Sequence, residues 1–113
     1  MEIKNAQIKS FELTMRDHGC LTLKMTLDGG GWGCCYGGYV LGHGYLDAKE
    51  FDGSAKGIES IMRIMDVIGV ESTDDIVGKY VRVKTEGWGS SVKIIGNILK
   101  DKWFDIGEFF KED

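Results

Sequence analysis

A glycine-dense segment without proline constrains this chain more than any other feature. Residues 28–44 hold eight of the 17 glycines, and no proline occurs in the 113 residues. Glycine gives a strand no side chain to pack, so a strand of this composition needs something else close to its backbone. We therefore expect another strand, a second subunit or a ligand to cover this segment.

The sequence Gly-Trp-Gly occurs twice, at 31–33 and 87–89. A tryptophan between glycines stands clear of its own backbone and presents its ring to a ligand such as a nucleobase. In the alternative arrangement each copy is a hairpin turn whose indole folds back onto the sheet. For Trp32 or Trp88 alone that arrangement is the commoner one. The repetition of the motif favours the ligand interpretation.

Length and composition predict one domain that spans residues 1–113. Hydrophobic residues make up 42% and aromatic residues 11% of the chain, enough apolar material for a single core. No apolar run is long enough to cross a bilayer, and the N-terminus has no apolar signal core. Three cysteines form no even disulfide framework, which is typical of a reducing compartment. We expect a soluble, unprocessed cytoplasmic protein.

The charge distribution favours a small anion over a polymer as ligand. The formal net charge of −4 argues against a protein that binds long nucleic acid through a basic face. Residues 79–102 nevertheless contain six basic and two acidic residues. A cluster of this size suits a phosphate ester, which needs only a few donors. A solvated strand face is the alternative.

Hydrophobic periodicity predicts an α+β fold. Alternation of apolar and polar residues predicts strands at 8–15 and 21–27, joined by a turn at 16–19. Helical spacing predicts the main helix over 54–68, with Ser54 as its N-cap and Gly69 as its C-terminal stop. The other expected elements are a polar loop at 45–53, a short helical turn from Ser72 to near Gly78, strands at 80–85 and 92–98, and a closing helix over 103–111. We expect an antiparallel sheet flanked by the main helix and the short C-terminal helix.

The last hairpin is the expected ligand site. Pairing Val83 with Val92 or Ile94 places the apolar residues of both strands on one face. The opposite face then carries cations, a phenol and an amide beside Trp88, which are groups that bind a phosphate and a base. The residues on that face are Tyr80, Arg82, Lys84, Lys93, Ile95 and Asn97. A polar face kept for solubility is the alternative.

The sequence predicts no catalytic residue, no metal site and no cofactor. His18 and His43 lie in no recognisable nucleophile or metal motif. Cys34 and Cys35 point to opposite faces of a strand and so cannot bind one zinc ion together. A loop with carboxylates at 47, 50 and 52 could hold a divalent cation, but such loops are usually only solvated.

Several short motifs together resemble a group of small phage proteins from Firmicutes. They follow one another in order over nearly the whole chain: IKNAQIKS at 3–10, DHG at 17–19, YGGY at 36–39, IGV at 68–70, GKYVRV at 78–83, IGNI at 95–98 and DKWF at 101–104. On these motifs the chain resembles the first Thoeris anti-defence family.

The resemblance implies a non-enzymatic sponge. Such a protein sequesters the cyclic ADP-ribose isomer, of the glyco-cyclic type, made by bacterial TIR-domain defence enzymes, and leaves it uncleaved. The family also implies a location in the cytoplasm of the infected host, homo-oligomers (dimers or hexamers) with pockets at subunit boundaries, and in some members a pocket for cyclic trinucleotides. The binding roles that we expect fall on Tyr36, Arg63, Arg82, Lys84, Trp88, Lys93 and Asn97. Arg63 is included as a cation between apolar positions of the main helix; a surface arginine is its alternative.

Two other functions stay open. The first is a phage inhibitor that binds a host defence protein directly, which the eight acidic and three basic residues of 47–75 favour. The second is a phosphodiesterase or another nucleotide hydrolase.

Overall fold

The computed structural model describes residues 2–45, 50–86 and 91–111. Within these ranges the chain forms a seven-stranded antiparallel sheet, one main helix and a short C-terminal helix, in the strand order β4-β3-β2-β1-β5-β6-β7. The elements are β1 (Glu2–Asp17), β2 (Cys20–Asp28), β3 (Gly33–Tyr45), β4 (Glu50–Gly53), α1 (Ala55–Ile68), β5 (Tyr80–Thr85), β6 (Ile94–Asn97), β7 (Trp103–Asp105) and α2 (Ile106–Lys111). The predicted α+β fold is confirmed.

The N-terminal hairpin follows the alternation of its sequence. In β1 and β2, Phe11 lies opposite Met25 and Leu13 opposite Leu23, so apolar side chains share one face. The turn places His18 at φ 53° and Gly19 at φ 79°, the left-handed pair that a tight two-residue hairpin requires. Both predicted strands are confirmed, and each extends beyond its predicted ends.

The glycine-dense segment is covered by strands. β3 pairs with β2 on one side, and its residues 42–45 pair with β4 on the other. β4 occupies part of the stretch predicted as a polar loop, so that prediction was wrong for residues 50–53. Glycine allows the close approach at Gly37, where φ is 109° and a Cβ atom would collide with the Leu23 carbonyl oxygen.

The main helix begins and ends where the sequence predicts. The Ser54 hydroxyl accepts a hydrogen bond from the Gly57 N–H at 2.8 Å, the usual N-cap bond. Gly69 adopts φ 88°, and its N–H donates to the Met65 carbonyl oxygen at 2.8 Å. The predicted short turn is a 3-10 helix at Thr73–Asp75. No helix among the described ranges is long and apolar enough to span a membrane.

The sheet curls so that strands distant in its order meet. The Val92 N–H donates to the Cys35 carbonyl oxygen at 3.0 Å, although β2, β1 and β5 lie between β3 and β6. The curled sheet and α1 enclose the core, which includes Ile8, Met25, Tyr36, Ile64, Val83, Ile95 and Phe104. The opposite sheet face, called the outer face below, points away from this core.

The C-terminal register differs from the prediction. Val83 lies opposite Ile95 and Val81 opposite Asn97, so Ile95 is buried in the core and not on the polar face. Gly96 therefore points outward, where its lack of a side chain leaves room for the Trp103 ring. Residues 103–105 form β7, and the closing helix begins only at Ile106. Asp105 caps this helix, because its Oδ1 accepts from the Glu108 N–H at 3.0 Å.

Candidate anion-binding site

The outer face of β5, β6 and β7 carries an indole contacted by two cations. Trp103 lies across Gly96, and the cationic groups of Arg82 and Lys84 each lie 4.5 Å from its ring centroid. Tyr80, Arg82 and Lys84 alternate with buried residues along β5, so they form one row on this face. We call these three residues the outer row. Cation–π attraction holds the Lys84 ammonium beside the indole.

Arg82 is partly engaged by the protein itself. Its Nε donates to the Asn97 carbonyl oxygen and its Nη2 to the Lys100 carbonyl oxygen, both at 2.8 Å. These bonds fix the guanidinium against the turn between β6 and β7 and over the Trp103 ring. Arg82 therefore helps to hold this part of the outer face together. Lys84 and Lys93 are the cations more available to a ligand.

Lys84 and Lys93 line a cavity of about 450 Å³ at the end of the outer row. Its other lining residues in the described part of the chain are Glu86, Ser91, Ile94 and Asp105. Asp105 lies opposite Ile94 in the ladder, which brings its carboxylate to the same cavity. The cavity thus combines two ammonium groups with two carboxylates and a hydroxyl. Such a mixture suits a ligand that has both phosphate and hydroxyl groups.

Asn97 has a structural role in place of the predicted recognition of a base. Its Nδ2 donates to the Val67 carbonyl oxygen at 2.8 Å, near the end of α1. Its Oδ1 accepts from the N–H groups of Leu99 and Lys100 at 2.9 and 2.8 Å. The amide joins α1 to the turn after β6, so its oxygen and one of its two N–H groups are already hydrogen-bonded within the protein.

Tyr36 also departs from the prediction, because its side chain is only 1% exposed. Its hydroxyl donates to the Phe104 carbonyl oxygen at 3.3 Å. Burial and then the nearby Asp105 carboxylate hold the pKa of this hydroxyl well above its ordinary value. Tyr36 is a core residue, and a ligand on the outer face cannot reach it.

Arg63 lies on α1 and is not among the residues that line the cavity. Its Nε donates to the Glu59 carboxylate at 2.7 Å, and its guanidinium lies 5.3 Å from the Phe109 ring centroid. Lys56 contacts the same ring at 5.1 Å, and its Nζ donates to the Phe109 carbonyl oxygen at 2.6 Å. These contacts attach α2 to α1, so the structure does not bring Arg63 to the cavity.

The structure describes the first Gly-Trp-Gly motif but not the second. Trp32 folds back against Gly29, with the Lys4 ammonium 5.2 Å from its ring centroid, and packs beside the core. Its hairpin-turn interpretation is therefore the right one. Trp88 lies outside the described residues, and its predicted role stays a prediction.

The predicted acidic loop lies partly outside the described residues, since Asp47 falls there while Glu50 and Asp52 belong to β4. Across 2–45, 50–86 and 91–111, no three His, Cys, Asp or Glu side chains are grouped to hold a metal ion. The three cysteines are free. Burial, and to a lesser extent Cys35, raises the pKa of the Cys34 thiol to about 11.

Sequence reasoning missed Trp103, Glu86, Ser91 and Asp105 as residues of the site. The predicted closing helix assigned Trp103 to helix, and the predicted register placed Gly96 on the core side. A glycine inside a strand often marks the close approach of another group, and here that group is the indole. Gly96 was the signal that could have revealed the position of Trp103.

Comparison with known proteins finds no matching protein family, no similar curated protein and no similar solved structure.

Proposed function

We propose that this protein is a phage anti-defence sponge that binds a cyclic ADP-ribose isomer without cleaving it and so blocks TIR-based immunity in the host cytoplasm. The observation that carries the proposal is the cavity that Lys84 and Lys93 line, next to the indole of Trp103. This arrangement adds to the sequence resemblance, which names the ligand class.

The groups in the cavity match the parts of such a ligand. Lys84 and Lys93 pair with phosphate oxygens through charge-assisted hydrogen bonds. The Glu86 and Asp105 carboxylates accept hydrogen bonds from ribose hydroxyls, and Trp103 offers an apolar surface on which a ribose can pack. The volume of about 450 Å³ falls in the usual range for small-molecule sites, about 300–1,000 Å³.

The positions of the histidines support binding without cleavage. His18 lies in the turn between β1 and β2, and His43 lies on β3 opposite Cys20. Neither lines the cavity, so histidine, the commonest general base, is not available there. Glu86 and Asp105 are the carboxylates at the cavity that could act as a base for cleavage.

We also propose a homo-oligomer, supported by an open apolar surface. The core face of the sheet continues along the hairpin of β1 and β2, where Leu13 and Met15 are exposed. Phe51 of β4 adds to it and is 71% exposed. A second subunit over this face removes apolar surface from water. Light scattering after size exclusion should give a mass of at least twice the 12.6 kDa of one chain, and a mass near 12.6 kDa would contradict the proposal.

One experiment tests the sponge directly. The protein is mixed with glyco-cyclic ADP-ribose or with cyclic trinucleotides, separated from free ligand, and heated to release what it holds. Recovery of intact ligand in stoichiometric amount is the expected result. A cleaved product would identify an enzyme, and the absence of any captured nucleotide would refute nucleotide sequestration.

A direct inhibitor of a host protein is the second candidate. Ile58 and Met62 lie one turn apart on the outward side of α1, 61% and 64% exposed. They lie within the acidic stretch 47–75, so a partner with a basic rim around an apolar groove would fit them. If Ile58→Ser with Met62→Ser abolishes protection of phage while nucleotide capture stays intact, this second function replaces the first.

A further inference from the structure

A second cavity, of about 270 Å³, lies at the other end of the outer row. Asn5 and Gln7 line it from β1, Tyr80 from β5, and Asp28 with the following glycines from the end of β2. No cation is among its lining residues. The cavity therefore suits an uncharged group with hydrogen-bond donors and acceptors, and not a phosphate.

The polar groups of this cavity are available for a ligand. In the described part of the chain, the Asn5 amide and the Tyr80 hydroxyl make no hydrogen bond within the protein. Gln7 donates from Nε2 to the Gly78 carbonyl oxygen at 3.2 Å, which holds the side chain and leaves its Oε1 as an acceptor. Asp28 accepts the Gly30 N–H at 2.9 Å through Oδ1, so Oδ2 remains for a ligand.

The two cavities share one face of the sheet. Asn5 lies opposite Arg82 and Gln7 opposite Tyr80, so the β1 amides stand beside the outer row. Tyr80 and Lys84 are four residues apart on β5, which corresponds to about 13 Å along the strand. A molecule with phosphates at one end and a ring at the other can therefore contact both cavities, with Arg82 between them.

We propose that the cavity of Asn5, Gln7, Asp28 and Tyr80 is a second subsite, which takes the adenine ring of the ligand whose phosphates bind at Lys84 and Lys93. A carboxamide presents one donor and one acceptor, the pair that complements an adenine edge. The Tyr80 ring, 56% exposed, provides a surface for stacking. The free Asp28 oxygen accepts a ribose hydroxyl. This inference rests on the proposed function.

Calorimetric titration with two probes tests the subsite. Glyco-cyclic ADP-ribose carries both the phosphates and the base, whereas inorganic pyrophosphate carries the phosphates alone. We expect Asn5→Ala and Tyr80→Ala to weaken binding of the nucleotide about tenfold or more, and to leave binding of pyrophosphate within about twofold of wild type. Tyr80→Phe should retain the nucleotide, because the ring remains. Val77→Ala, which changes an exposed residue outside both cavities, is the control.

The failure of this inference is distinct from the failure of the proposed function. If wild-type protein binds the nucleotide and Asn5→Ala and Tyr80→Ala bind it equally well, the second subsite is refuted while the sponge stands. If the two variants bind nucleotide and pyrophosphate more weakly by the same factor, the substitutions act through the fold or through the cationic site. The second subsite is then again refuted. If the wild type binds neither probe, both proposals fall.

Discussion

The Tyr36 hydroxyl donates a hydrogen bond to the Phe104 carbonyl oxygen, 68 residues further along the chain. This bond links β3 to β7 across the interior, where the curled sheet also joins Cys35 to Val92. The ring of Tyr36 fills the core at that point, and its hydroxyl needs a partner there because a buried unpaired hydroxyl is destabilising.

Tyr36→Phe should therefore affect stability and not binding. Loss of one buried hydrogen bond should reduce the free energy of unfolding by about 1 kcal/mol, while the ring keeps its packing. Urea unfolding measures the loss, and ligand titration should match wild type. A large drop in affinity with unchanged stability would restore the ligand role first predicted for Tyr36.

Gly96→Ala should dislodge Trp103. An added Cβ atom would collide with the indole, so the ring must move and the contacts with Arg82 and Lys84 must loosen. We expect a loss of about 1–3 kcal/mol in unfolding free energy, measured in urea. Gly53→Ala is a matched control because a Cβ atom there meets nothing within 4 Å. Equal effects of the two variants would contradict the close contact at Gly96.

Lys84→Ala and Lys93→Ala test the cationic cavity. Each removes a charge-assisted hydrogen bond to phosphate and should weaken ligand binding by about 1.5–3 kcal/mol. The ligand-induced rise in Tm should shrink accordingly, whereas the Tm without ligand should change little. Lys9→Ala, an exposed residue of β1 that lines neither cavity, removes the same charge elsewhere. If Lys84→Ala and Lys93→Ala keep the wild-type rise in Tm, as the control does, the phosphates bind at another surface.

Asn97→Ala should destabilise the protein through the turn after β6. The substitution removes the bonds to Val67, Leu99 and Lys100, and we expect a loss of about 1–3 kcal/mol in unfolding free energy. Leu99→Ala changes a neighbouring residue that is largely exposed to solvent and should be near neutral. If Asn97→Ala keeps wild-type stability, Asn97 becomes a candidate ligand-binding residue again.

Alkaline pH should destabilise the fold through Cys34. Its pKa is raised from 9.0 to about 11 by burial, so the folded state retains a proton that the unfolded chain releases. The resulting contribution to stability is complete below pH 9 and is lost as the pH rises from about 9 to 11. Cys34→Ser should lose less stability than wild type over this range in urea unfolding. An identical decline would show that other groups cause it.

The sequence predicts the local elements of this fold well, because their signals are local. Ser54 and Gly69 delimit α1 by their own cap chemistry, and the alternation around Leu23 fixes the hairpin of β1 and β2. The register of β5 and β6 was predicted wrongly, since the observed register involves a residue outside these two strands, Trp103 of β7, whose ring packs over Gly96. The apolar pattern of the two strands alone cannot distinguish two registers that differ by one residue when both registers bury the valines of β5.

The candidate site was predicted in part for the same reason. Lys84 and Lys93 stand out as cations on strands, and the structure places both at one cavity. Asn97 and Tyr36 look equally suitable in sequence, yet the partners that occupy them come from α1 and β7. Which polar group is free depends on tertiary neighbours, which composition and periodicity do not describe.

The position of β1 in the middle of the sheet has a consequence for how the protein is made. β1 pairs with β5, which places Glu2 opposite Thr85, so the pairing of β1 cannot be completed until β5 has been synthesised. Until that distant pairing forms, the amides of Asn5 and Gln7 are separate from Tyr80, and the second cavity is not assembled. Under the proposed function, a chain that lacks β5 cannot offer both subsites, and nucleotide binding during refolding should report the late pairing of β1 with β5.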